Sequence, residues 1–126
     1  MKLRVRGSSL RLRLTQGEVA RIGAGERVEE VVTFGPSADA RLVYAITTSN
    51  DALAVAASFS GSEVRIVIPA EVARRWATSA DVGIEAEQAN GSDTPLRILV
   101  EKDFECLAPR PGEDDSDAFP HPTKCG

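Results

Sequence analysis

The stretch Glu63–Ala77, EVRIVIPAEVARRWA, predicts a strand that passes directly into a helix. Val64, Ile66 and Ile68 recur at every second position, which is typical of a strand with one buried face. Pro69 then ends the strand, because proline cannot donate to a strand ladder but is tolerated where a helix begins. This strand–helix unit decides the fold, and the rest of the chain is interpreted outward from it.

Two short helices are predicted, near residues 16–23 and 70–77. Thr15 and Glu18 have the spacing of a capping box at the start of the first helix. In the second helix, Trp76 shares one apolar face with the valine four positions before it.

The segment Leu10–Ala24, LRLRLTQGEVARIGA, repeats the order of the central stretch. The tetrapeptide EVAR occurs in both, at 18–21 and at 71–74. An internal duplication of strand–helix–strand units explains the match, and so does coincidence in a short chain rich in Ala, Val and Arg. Both interpretations stay open at this point.

The first hairpin is predicted between strands at 2–6 and 10–14, with a two-residue turn at Ser8 and Ser9. This register sets Val5 opposite Leu12, but it also opposes like charges, Arg6 with Arg11 and Arg4 with Arg13. Like charges directly opposite each other destabilise a strand pair. We therefore expect either that another strand separates the two or that an anion covers their charged face.

A second hairpin is predicted with its turn at Ser60 and Gly61. Its register pairs apolar residues throughout: Ala57 with Val64, Val55 with Ile66, and Leu53 with Ile68. Three further strands are predicted from their alternation, at 27–34 (Val28, Val32 and Phe34 on one side), 82–88 (Val82, Ile84 and Ala86 inward) and 96–101. A fourth is predicted at 42–48, which is apolar on both faces, as expected of a central strand.

The fold class is therefore mainly β (α+β), as one compact antiparallel domain of about eight short strands and two short helices. We expect a barrel or a sandwich with the helices closing its ends. The predicted domain covers 1–103. Residues 104–126, rich in proline, glycine and aspartate, predict an irregular acidic tail.

The bulk composition excludes several classes of protein. The chain has 126 residues and a net charge of −4, which argues for one domain and against a dedicated nucleic-acid binder. Its apolar runs are too short to span a membrane, and its start lacks the apolar region of a signal peptide. Only two cysteines occur, both in the tail. These features predict a soluble cytoplasmic protein.

Charge is distributed unevenly along the chain. Residues 1–25 carry six basic side chains against one acid, and residues 101–126 carry seven acids against three basic side chains. The first group includes a row on the predicted N-terminal strands: Lys2, Arg4, Arg6, Arg11 and Arg13. Arginines on a strand can bind phosphates or carboxylates. We expect the acidic tail residues Asp114, Asp115 and Asp117 to lie across this row, and an external anion is the alternative.

Cys106, His121 and Cys125 are the residues in the tail that could carry metal or nucleophilic chemistry. They lack a C-x-x-C pair and a fourth ligand, so their spacing fits a zinc site poorly. Nothing in the sequence fixes Cys106 against the single histidine, and an inert cysteine is the expected state. We predict no catalytic residue, no metal and no cofactor.

Three segments together resemble a family of small uncharacterised bacterial proteins, a domain of unknown function. They are RVRGSSLRLRLTQGEV, FGPSADARLVYAI and the tail EKDFECLAPRPGEDDSDAFPHP, where the family has asparagine in place of His121. The resemblance covers nearly the whole chain and implies no activity, cofactor or partner. Separately, IPAEVARRW is similar to part of the swapped-hairpin DNA-binding fold of transition-state regulators.

These observations favour a non-enzymatic cytoplasmic binding module that contacts a protein partner or a small anionic ligand. The predicted site comprises Arg4, Arg6, Arg11, Arg13, Lys102, Asp103 and Cys106. One alternative is a nucleic-acid-binding or transcription-regulatory protein that uses the basic strands, although they carry no aromatic residue for stacking on bases. Another is a small metal protein or enzyme centred on Cys106.

Overall fold

The computed structural model describes residues 1–104, which form eight strands and two helices. In chain order they are β1 (Lys2–Arg6), β2 (Ser9–Leu14), α1 (Gln16–Gly23), β3 (Val28–Thr33), β4 (Arg41–Ser49), β5 (Ala56–Ser60), β6 (Glu63–Pro69), α2 (Ala70–Thr78), β7 (Gly83–Gln88) and β8 (Leu96–Lys102). The mainly β class and both predicted helices are confirmed. The acidic tail predicted from residue 104 onward lies outside the described residues, except for Phe104.

The strands form two four-stranded sheets, ordered β1-β2-β8-β7 and β3-β4-β6-β5. The sheets do not close into a barrel, so the sandwich alternative describes the fold. The prediction of a purely antiparallel domain is wrong, because β2 pairs with β8 and β4 with β6 in parallel. Local alternation along one strand carries no information about the direction of a neighbour that is distant in sequence.

The chain consists of two halves with the same order, hairpin–helix–hairpin. The first half contains β1 to β4 with α1, and the second contains β5 to β8 with α2. Each sheet combines the leading hairpin of one half with the trailing hairpin of the other. The two halves therefore exchange hairpins between the two sheets.

The two halves correspond residue by residue at a spacing of 54 positions over the leading hairpin and the helix. Gly7 and Gly61 both occupy hairpin turns with positive φ, at 53° and 56°. Leu12 lies opposite Leu3 on β1, and Ile66, 54 positions later, lies opposite Ala57 on β5. The EVAR tetrapeptides stand 53 positions apart, so they are one residue out of structural register. The two halves therefore repeat in structure, but the matching tetrapeptides do not occupy equivalent positions.

The core lies between the inner faces of the two sheets and under the two helices. Its fully buried side chains come from both halves: Leu12, Leu14, Ile22, Val28, Ile46, Ile66, Ile68, Trp76, Ile98 and Val100. The predicted capping box is present at α1, where the Glu18 N–H donates to Thr15 Oγ1 and the Thr15 N–H donates to Glu18 Oε1. Helix α2 begins after Pro69 without a side-chain cap.

The helices pack against each other at Gly23 of α1 and Ala77 of α2, which are equivalent positions of the two halves. A Cβ atom at Gly23 would lie 2.5 Å from Ala77 Cβ. The approach of the helices therefore depends on the missing side chain at Gly23.

Both hairpins exist, but the predicted registers are wrong by two residues. The turns are at Gly7-Ser8 and Gly61-Ser62, so that Val5 pairs with Leu10 and Ala57 with Ile66. Each turn has glycine at its first central position, where a tight hairpin turn needs positive φ. Phe59, which now pairs with Val64, and Leu53, which precedes β5, are both exposed.

The remaining strands occupy their predicted segments, but fewer of their residues are buried than expected. On β3, Val28 is buried while Val32 is exposed, and Phe34 beyond the strand is 75% exposed. Val82 precedes β7 and is also exposed. Alternation along these segments therefore did not predict which of their apolar residues are buried.

Candidate anion-binding face

Five cationic side chains share the outer face of the β1–β2 hairpin, which we call the basic face: Lys2, Arg4, Arg6, Arg11 and Arg13. Successive strand residues point to opposite sides of a sheet. The apolar residues between these cations, Leu3 and Leu12 among them, therefore point toward the core. The sequence placed these five side chains on one surface, and the structure does the same.

The register of the hairpin sets like charges directly opposite each other. Arg4 lies opposite Arg11, and Lys2 lies opposite Arg13. No strand separates β1 from β2, so the first of the two expectations for relieving the repulsion is wrong. Such pairs are unfavourable unless counter-charges are near.

Part of the counter-charge comes from the end of β8. The Glu101 carboxylate accepts a hydrogen bond from Arg11 Nε at 2.6 Å, and both side chains are largely covered. Lys2 Nζ lies 3.2 Å from Asp103 Oδ2. Because β8 lies beside β2 in parallel, it delivers these two acids to the same outer face.

Arg4 and Arg6 are exposed, and neither guanidinium has an ion-pair or side-chain hydrogen-bond partner within residues 1–104. An open groove of about 150 Å³ lies beside Arg4, lined by Lys2, Leu3, Arg4, Arg11 and Arg13. The groove thus combines Lys2 and Arg11, which are paired with carboxylates, with the exposed Arg4. Such an arrangement can accept carboxylate or phosphate oxygens.

The second half of the chain provides an internal control for the basic face. At the positions of β5 equivalent to Lys2, Arg4 and Arg6, it carries Ala56, Ser58 and Ser60. The equivalent strand of the second half is therefore built without any cation. The architecture accommodates neutral residues at these positions as well as positive charges.

The opposite edge of the same sheet carries the opposite charge. Glu85 and Glu87 occupy the outer face of β7, in register with Leu99 and Arg97 of β8. Arg97 Nη2 donates to Glu85 at 3.2 Å. The outer face of this sheet therefore changes from basic at β1 to acidic at β7 across four strands.

The other predicted site residues are placed differently. The Asp103 N–H donates to the Leu14 carbonyl at 2.8 Å, and its carboxylate faces Lys2. Lys102 points to the other side of the sheet, where its Nζ donates to the Ser79 carbonyl at 2.8 Å and lies 5.9 Å from the centre of the Trp76 ring. Cys106, His121 and Cys125 lie outside the described residues. The sequence did not indicate Glu101 as a site residue, because only the pairing of β2 with β8 brings it beside Arg11.

Shifted pKa values occur at ion pairs elsewhere in the fold. Burial, the largest single effect, acts to raise the pKa of Glu18, but hydrogen bonds from the Met1 ammonium and Thr15 lower it overall. Hydrogen bonds from Arg27 and then Arg65 lower the pKa of Glu63. Both carboxylates hold structural contacts, with Glu18 Oε2 lying 2.7 Å from the Met1 nitrogen. Neither belongs to the basic face.

Within residues 1–104, no group of three or more His, Cys, Asp or Glu side chains is arranged to hold a metal ion. The helices of this part of the chain are too short and too polar to cross a membrane.

The fold and the site together define a class of protein: a mainly β sandwich of two interleaved halves, with a cationic face on one edge hairpin. The chain belongs to a family of unknown function, DUF7009, whose model matches residues 1–123. This membership agrees with the resemblance seen in the sequence. No curated protein and no solved structure matches the chain.

Proposed function

We propose that this protein is a non-enzymatic binding module whose basic face recognises an acidic segment of a protein partner. The observation that carries the proposal is the contrast between β1 and β5. Equivalent strands carry Lys2, Arg4 and Arg6 in one half and small neutral residues in the other. The charges of the basic face repel each other across the hairpin, and the second half of the chain forms an equivalent strand without them. Their presence therefore needs a reason other than folding.

An acidic protein segment suits this face better than a nucleic acid does. Two of the five cations are already held by Glu101 and Asp103, so few phosphates could be neutralised. No aromatic side chain stands among the cations to stack on a base. The acidic edge at Glu85 and Glu87 would also repel a long polyanion that extended across the sheet.

The exposure of the basic face supports a binding role. The basic face is an open surface with exposed guanidinium groups, which suits recognition. Cytoplasmic location and bacterial origin stay predictions from the sequence.

The test is a titration of the full chain with an oligoglutamate peptide, with a single-stranded oligodeoxynucleotide of equal charge in a parallel arm. The variant Arg4→Glu/Arg6→Glu reverses the two exposed arginines. The matched control, Arg41→Glu/Arg75→Glu, makes the same change in net charge at exposed arginines on β4 and α2. Retention of the wild-type circular dichroism spectrum shows that each variant is folded.

We expect the wild type and the control to bind oligoglutamate equally, with an affinity that falls as salt rises. The basic-face variant should bind about tenfold more weakly or worse, since each exposed ion pair contributes roughly 0.2–1 kcal/mol and two are reversed. Equal loss in both variants would reject a specific face. Tighter binding of the oligodeoxynucleotide, lost in the same variant, would replace the acidic protein partner by a nucleic acid.

A further inference from the structure

We infer that the basic face is occupied by the chain's own acidic segment until a partner displaces it. The acidic segment comprises Glu113, Asp114, Asp115 and Asp117. The inference rests on the proposed function, because it treats the face as a site for carboxylates. It adds regulation: the partner must compete with a ligand that the protein carries itself.

The chain leaves the described fold beside the basic face. The Asp103 N–H is hydrogen-bonded to Leu14 at the end of β2, and its carboxylate lies 3.2 Å from Lys2 Nζ. Lys2 is the first cation of the basic face. The residues that follow Asp103 therefore start at one corner of the face and not on the far side of the molecule.

The connection between Asp103 and the acidic segment is long enough to span the basic face. From Lys2 to Arg6 the basic face extends over one five-residue strand, or about 14 Å. The acidic segment begins ten positions after Asp103. A chain can extend about 3.3–3.6 Å per residue, so ten residues reach on the order of 30 Å. The acidic segment can therefore lie along the whole face without leaving its attachment point.

Charge and local concentration both favour the acidic segment as the occupant of the basic face. Arg4 and Arg6 have no counter-ion within residues 1–104, and the acidic segment brings four carboxylates. For an intramolecular connection of this length, the effective concentration is on the order of millimolar. A free acidic peptide must exceed that value, or bind more tightly, to replace the tethered one.

The location of the acidic segment is measured by paramagnetic relaxation. A nitroxide is attached to the variant Ala118→Cys in a Cys106→Ser/Cys125→Ser background, next to the acidic segment. We expect broadening of the amide signals of β1 and β2, but not of β5, and its loss at high salt. Equal broadening of β1 and β5, or no broadening, would overturn the inference. Mixing spin-labelled chains with isotope-labelled unlabelled chains tests for a second copy, and broadening in that mixture would also overturn it.

The competition is measured by repeating the oligoglutamate titration with Asp114→Asn/Asp115→Asn/Asp117→Asn. The matched control, Asp51→Asn/Asp81→Asn/Asp93→Asn, changes net charge equally at exposed loop positions. We expect the tail variant to bind roughly threefold more tightly or better, and the control to match the wild type once salt screens net charge. Binding that is specific to the basic face but unaffected by the tail variant would reject this inference alone. Absence of binding in every arm would reject the proposed function.

Discussion

The hairpins β1–β2 and β5–β6 have the same turn position, the same register and the same place beside a helix, but opposite surface characters. On β1 the outward residues are Lys2, Arg4 and Arg6. On β5 they are Ala56, Ser58 and Ser60. The comparison separates the residues that both halves share from those that only one half carries. Inward apolar residues recur in both halves, whereas outward cations on the first strand of the hairpin occur in one.

The second strands of the two hairpins show how each half neutralises the charge that it does carry. Arg11 on β2 and Arg65 on β6 are equivalent, and each is paired with a glutamate. Arg11 uses Glu101 from the neighbouring strand, while Arg65 uses Glu63 from its own strand. The shared arginine is therefore satisfied in both halves. The cations of β1 are the feature that the second half lacks.

The largest expected effect comes from the core positions that the halves share. Trp76 of α2 and Ile22 of α1 are equivalent and buried. Trp76→Ala should lower the free energy of unfolding by about 3–5 kcal/mol and Ile22→Ala by about 2–5 kcal/mol, because each leaves a cavity. Urea denaturation measures both. A loss below 1 kcal/mol at either position would mean that the two helices do not share one core.

A smaller effect is expected where the helices meet. Gly23→Ala places a methyl group against Ala77 and should cost about 1–3 kcal/mol. Ala77→Gly in the same chain returns the missing space on the other side of the contact. The double variant should therefore recover most of the stability in urea denaturation. If it is no more stable than Gly23→Ala alone, the two positions are not interchangeable and the equivalence of the helices fails there.

The turns of the two hairpins should respond in opposite directions. Ser62 has φ of 70°, an unfavourable conformation for serine, whereas Ser8 is not among the described residues with positive φ. Ser62→Gly should raise the melting temperature, by relief of up to about 1 kcal/mol. Ser8→Gly should lower it, because glycine only adds freedom to the unfolded chain. A stabilising effect at Ser8 would contradict the difference between the turns.

The smallest expected effect is on the pH dependence of stability. The pKa of Glu63 is lowered by its hydrogen bonds to Arg27 and Arg65, so its folded pKa lies below its unfolded value of about 4.5. Its stabilising contribution is therefore complete above that value and is lost as pH falls through the lowered pKa. Glu63→Gln should flatten the stability curve at pH values below about 4.5, where the wild type loses this contribution. An unchanged slope would show that the carboxylate contributes nothing to folding stability.

Much of the fold followed from local patterns in the sequence. Alternation located seven of the strands, the apolar run at 42–48 located β4, and the capping pair Thr15–Glu18 together with Pro69 located both helices. The pairing of distant strands could not be predicted, because an alternating strand fits a parallel or an antiparallel neighbour equally well. The register errors came from placing the turns at Ser8-Ser9 and Ser60-Gly61, whereas Gly7 and Gly61 with their positive φ occupy the first central position of each turn.

The candidate site was predicted in part. The five cations of the basic face follow from strand alternation alone, since their spacing puts them on one side. Lys102 was predicted to belong to the same site, but strand alternation turns it to the other side of the sheet, toward Trp76. Glu101 was missed because its role depends on β8 lying beside β2, a contact between residues 90 positions apart.

The proposed function requires that the cations of β1 serve binding and not folding. The most direct test replaces them by the residues of β5, as Lys2→Ala/Arg4→Ser/Arg6→Ser, and measures oligoglutamate affinity beside the free energy of unfolding. We expect the affinity to fall by about tenfold or more while stability stays the same or rises, since two like-charge pairs are removed. Undiminished affinity, or a loss of stability comparable to a core substitution, would contradict the claim.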